Sequence, residues 1–140
     1  MRKKTYDDGF IFSFKIRLEY RLPYTYMREL SKVNPTLKNY NLNWQKVFEF
    51  GCMTLQALLS KGYRITAPAY FETRPYNNTS TFTGTIIEEI KQFAYELNFK
   101  QPEVIEFCLW LYFMIHMSDE EITFFKINTL EFQIDPPHSR

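Results

Sequence analysis

At 140 residues and 17.0 kDa the chain has room for one domain, or for two small repeats sharing a core. Hydrophobic residues at 45% and charged residues at 24% exclude a wholly disordered or collagen-like chain, and only 4 glycines argue against a glycine-rich phosphate cradle. The net charge of +1 hides a split, +7 over residues 1–64 and −6 over 65–140, which implies an anionic partner on one side or two halves that attract each other.

Residues 10–21 show a period-two alternation of high quality. Phe10, Phe12, Phe14, Ile16, Leu18 and Tyr20 share one parity; Ile11, Ser13, Lys15, Arg17, Glu19 and Arg21 share the other. This predicts a strand with one buried face and one wet, mostly basic face, stopped at Leu22-Pro23. A helix is expected after Pro23, with Met27, Leu30 and Val33 on one face, ending at Asn34-Pro35. Residues 35–42 form a polar connection, and Asn43 is a candidate cap for the next helix. There Trp44, Val47, Phe48, Gly51, Cys52, Leu55, Leu58 and Leu59 fall at helical spacing, with Gly62 as the stop.

Residues 63–82 read mainly as connection. Tyr63–Ala67 is a possible short strand, while Pro68, Pro75 and Asn77-Asn78-Thr79-Ser80 are turn chemistry, so no clear strand precedes the next helix. Thr85 and Glu88 fit a capping box, and Ile86, Ile87, Ile90, Phe93, Ala94 and Leu97 mark a third helical face. Pro102 opens a fourth helix, apolar on nearly every side to about Met117, which predicts a core element or an oligomer interface. Ser118 and Glu121 allow one more helical turn, and residues 122–134 read as a C-terminal strand.

The expected fold class is therefore α+β: one domain over residues 1–140, with four main helices and two or three short strands. An echo of strand, helix, connection and apolar helix divides it into pseudo-repeat halves at approximately 10–62 and 63–117.

Chemistry-bearing residues are few. Cys52 and Cys108 sit in apolar helical patterns and read as buried thiols, with a disulfide or redox pair as the alternative. With His116 and His138 they are the whole stock of Cys and His ligands, without CxxC or HxxxH spacing, so no metal is expected. Glu88-Glu89 and Asp119-Glu120-Glu121 point to different sides of their helices and make no converged acid pair. Tyr20, Tyr24 and Tyr26 beside Arg21 and Arg28 form the one aromatic–basic cluster suited to stacking on bases, with core packing as the alternative. No catalytic set emerges. A non-enzyme without cofactor or small-molecule substrate is expected. The polar first residues and the shortness of the 104–117 stretch predict a cytoplasmic chain without a membrane partner.

Phe12-Ser13-Phe14-Lys15-Ile16-Arg17-Leu18, the Arg21-Leu22-Pro23 step and the helices expected over 24–33 and 43–60 together resemble the ribbon-helix-helix DNA-binding family. The resemblance implies a two-stranded ribbon whose outward residues, here Ser13, Lys15 and Arg17, enter the major groove. It also implies a homodimer, or a single chain holding two degenerate copies. Arg21 and the Arg2-Lys3-Lys4 cluster are further candidates for DNA contact. The function expected is sequence-specific binding of double-stranded DNA, as a transcriptional regulator or a mobile-element accessory factor. The alternative is a non-catalytic protein–protein interaction module whose basic and acidic halves meet each other or a partner.

Overall fold

The computed structural model describes residues 9–33, 44–68 and 76–137. The first strand, β1 (Gly9–Ile16), buries Phe14 and Ile16 and exposes Ser13 and Lys15, as the alternation requires. It ends earlier than expected. Helix α1 (Leu18–Val33) begins five residues before Pro23 and runs through it, its first turn closing on the Arg17 carbonyl, which accepts from the N–H groups of Tyr20 and Arg21 at 3.1 Å. Two periods overlap here: Tyr20 continues the strand parity, but it also stands four residues after Ile16 and four before Tyr24. The helical period prevails. Tyr20 and Tyr24 are buried, whereas Leu18, which a continued strand would bury, is 37% exposed.

Helix α2 (Trp44–Ser60) buries Val47, Phe48, Gly51, Cys52 and Leu55, the face expected from their spacing. It stops at Gly62, whose φ of +83° lets the N–H groups of Gly62 and Tyr63 reach the carbonyls of Leu59 and Leu58. A short strand, β2 (Arg64–Thr66), follows. Then comes the main correction to the sequence reading: Asn77-Asn78-Thr79-Ser80, expected as turn, lie within a full strand, β3 (Tyr76–Thr83), antiparallel to β1 with Lys15 opposite Asn77 and Ser13 opposite Thr79. Asn and Ser disfavour strands in isolation. Pairing along all of β1 overrides that preference.

Strand β3 runs directly into α3 (Gly84–Leu97). The cap is Thr83, the last strand residue, and not Thr85: its hydroxyl accepts from the Ile86 N–H at 3.3 Å. Helix α4 (Gln101–His116) begins at the expected place, Glu103 accepting from the Lys100 N–H at 2.8 Å. A reciprocal Ser118–Glu121 box starts α5 (Asp119–Phe124). The predicted strand over 122–134 is thereby corrected to the end of that helix, a left-handed turn at Lys126, a 3₁₀ turn over Ile127–Leu130 and a short β4 (Gln133–Asp135) paired with β2. The connection at 35–42 and the cap proposed at Asn43 lie outside the described residues.

The chain is α+β, with five helices and two separate two-stranded sheets among the described residues. The order strand–helix–helix occurs twice, as β1-α1-α2 and β3-α3-α4, and the strands of the two copies pair with each other. Beneath the ribbon Phe14, Phe48 and Phe82 pack with ring centroids 4.9–6.1 Å apart. Helix α4 fills the centre, with every residue from Val104 to Trp110 buried. Gly51 permits its close crossing with α2, since a Cβ there would collide with Cys108.

Candidate nucleic-acid interface

The ribbon has two faces set by the pleat. Phe14, Ile16 and Phe82 are buried on one, while Ser13 and Lys15 stand exposed on the other. The register pairs Asn77 with Lys15 and Thr79 with Ser13. Apolar residues hold the ribbon from beneath, and β1 exposes Ser13 and Lys15 on its other side.

Arg17 is not part of that side. Expected among the outward residues, it is 6% exposed and pairs with Glu106 of α4, itself 1% exposed. One guanidinium N–H donates to Glu106 Oε1 at 2.6 Å, and the Arg17 backbone N–H donates to Oε2 at 3.1 Å. The physical reason is the end of β1: the chain leaves the ribbon at Ile16, so parity no longer governs the next side chain. Glu106 was not singled out when this helix was read as apolar on nearly every side. Its signal was legible, because a lone carboxylate on a buried helix calls for a cation.

Arg21 is half-buried in the first part of α1, and Arg2, Lys3 and Lys4 lie outside the described residues. Of the tyrosine–arginine cluster, Tyr20 and Tyr24 belong to the packing, while Tyr26 is exposed. Tyr20 is buried with its hydroxyl donating to the Leu130 carbonyl at 3.2 Å, and Tyr24 stacks on Trp44 at 3.7 Å. Burial pushes the Tyr24 phenol up to about 12, against the opposing charge of Arg28, whose guanidinium lies 5.8 Å from the ring.

Cys52 and Cys108 are both free thiols and both buried, brought together where α2 crosses α4. A hydrogen bond with Cys52 and burial hold the Cys108 thiol well above the usual range, so it is held as the neutral thiol. His116 ends α4 with its ring 4.2 Å from Tyr112, and desolvation lowers its pKa. Between α2 and α3 runs an open groove of about 580 Å³, whose polar lining includes Gln45, Glu49, Gln56 and Glu89. Among the described residues no group of three or more His, Cys, Asp or Glu side chains is placed to hold a metal ion, and no helix is long and apolar enough to cross a membrane. No family model, no curated protein and no solved structure matches this chain.

Proposed function

We propose that the chain binds double-stranded DNA sequence-specifically by laying the β1–β3 ribbon in the major groove, as a transcriptional regulator or a mobile-element accessory factor. The observation that carries this reading is the antiparallel ribbon itself, shared by two strand–helix–helix units, with Ser13 and Lys15 exposed opposite Thr79 and Asn77. The major groove admits a two-stranded ribbon, and Lys, Ser, Thr and Asn are all residue types that bond base edges or phosphates there. Lys15 supplies the charge. Arg17 is withdrawn from the set of readers, since its guanidinium is committed to Glu106.

The test is fluorescence anisotropy on random-sequence duplex pools across a salt series. Binding should weaken steeply with salt through counterion release, and Lys15→Ala should flatten the log–log slope by about 1. Selection from a random duplex library should then enrich a motif. Absence of any salt-dependent duplex binding overturns the reading.

One observation favours the second reading, a non-catalytic interaction module. The Arg17–Glu106 ion pair joins the basic half of the chain to the acidic half internally, so part of the charge split is used within the molecule. On that reading duplex binding is absent and Lys15→Ala changes nothing in the anisotropy series.

A further inference from the structure

We propose that the face formed by α1 and α5 is a self-association surface, a two-fold contact in which Phe124 of each copy enters the groove beside the other's Leu22. The apolar helix α4, read from the sequence as a core element or an oligomer interface, is covered within the chain; of its apolar residues only Met114 and Ile115 at its C-terminal end are exposed. The large exposed apolar residues include a group elsewhere. Phe124 is 77% exposed and Leu22 is 53% exposed, and between the two helices lies a groove of about 300 Å³ whose walls include both, with Glu19, Pro23, Phe125 and Lys126. That volume is at the small end of the range for ligand pockets, the size for a side chain and not for a helix.

The local backbone presents this arrangement. Helix α5 turns Phe125 inward, its ring 5.1 Å from that of Tyr26, and Phe124 outward, perpendicular to Phe125 at 4.9 Å. The helix then ends at Lys126 with φ of +54°, a left-handed conformation that a lysine adopts at some cost. The turn is pinned by the Thr129 hydroxyl, which donates to the Lys126 carbonyl at 2.6 Å. A strained turn thus sets an outward aromatic ring, a receiving groove and a cation on one face.

Charge identifies the occupant as a second copy. Glu19 and Lys126 are both exposed and line the same groove. In a two-fold contact residue i meets j while j meets i, so Glu19 of each copy faces Lys126 of the other. Ring, groove and both charges are self-complementary, which a heterologous partner would not require.

Sedimentation velocity on the full chain, up to about 100 µM, is the test. The wild-type mass should rise with concentration from 17.0 kDa toward twice that value. Phe124→Ala, Leu22→Gln, Glu19→Lys and Lys126→Glu should each weaken association by about tenfold or more. Each is expected to melt at the temperature of the wild-type monomer, since all four positions are exposed, and should one of them fail to fold the remaining three carry the test. An equimolar mixture of Glu19→Lys and Lys126→Glu should associate again, because only the mixed pair restores both opposite-charge contacts. A monomer at every concentration, wild-type association in Phe124→Ala and Leu22→Gln, or no recovery in the mixture overturns the proposal.

Discussion

Glu106 accepts two hydrogen bonds from one residue, and both come from the point where strand becomes helix. A carboxylate in that position fixes the end of the ribbon against the central helix. Breaking a buried ion pair from one side typically costs about 3–5 kcal/mol, since the remaining charge stays desolvated. Glu106→Gln is therefore expected to lower unfolding free energy by about 3 kcal/mol or more in urea titrations, whereas Lys15→Ala, at an exposed position, should stay within about 0.5 kcal/mol. Arg17 and Lys15 cannot be treated as one functional pair: the first holds the fold and the second faces solvent. Tyr24 supplies a pH signature. Its phenol titrates near 12 in the folded chain against 10.0 for an ordinary tyrosine. The raised value favours the neutral ring, so its stabilising effect is complete below pH 10 and is lost as pH rises toward 12, where only the unfolded chain releases its proton. The loss approaches about 2–3 kcal/mol. Urea midpoints at about pH 9 and about pH 11.5 should diverge in the wild type, and less so in Tyr24→Phe.

Between elements, the crossing of α2 and α4 is set by a residue without a side chain. A methyl group on Gly51 would lie 2.9 Å from the Cα of Cys108, a backbone atom that cannot rotate away. Gly51→Ala gains up to about 1 kcal/mol of helix propensity but overpacks a tight interface, and a net loss of about 1–3 kcal/mol is expected. Chemical denaturation checks it, and adding Cys108→Ala should recover part of the loss because the two positions are in contact. The helical elements were largely legible from spacing: the buried face of α2 falls on the positions its periodicity marked, and Gly62 and Pro102 mark real boundaries. The strands were legible only where they alternate. β1 was clear in the Phe residues, but β3 carries only Tyr76 and Phe82 among Asn, Ser and Thr, and long-range pairing, which no local window contains, makes it a strand. The last segment failed for the opposite reason, since β-branched and aromatic residues over 122–134 imitate one strand, while the Ser118–Glu121 box commits residues up to Phe124 to a helix and only the end of the segment is strand, in β4. Of the candidate site, parity put Ser13, Lys15 and Arg17 on the outer face; it holds for the first two and fails for Arg17, whose environment depends on Glu106, 89 residues away.

For the molecule as a whole, the shared ribbon makes each half incomplete alone. A fragment of residues 1–68 keeps β1 but loses β3 and the Glu106 carboxylate, and so is expected to show no cooperative thermal transition by circular dichroism. Mixing it with the fragment 69–140 should restore helical signal and a single transition. The same topology has a consequence in time. Paired residues in the ribbon are 60 positions apart at Ile16–Tyr76 and 74 apart at Gly9–Thr83, so contacts that close the core are among the least local in the chain. At roughly 5–20 residues per second of synthesis, β1 emerges several seconds before its partner exists. Through that interval its row of phenylalanines and its unpaired backbone form an open edge of the kind that recruits other chains. Slow or paused translation between the two strands is then a hazard in itself, and the yield of soluble protein becomes a matter of elongation rate as well as of final stability.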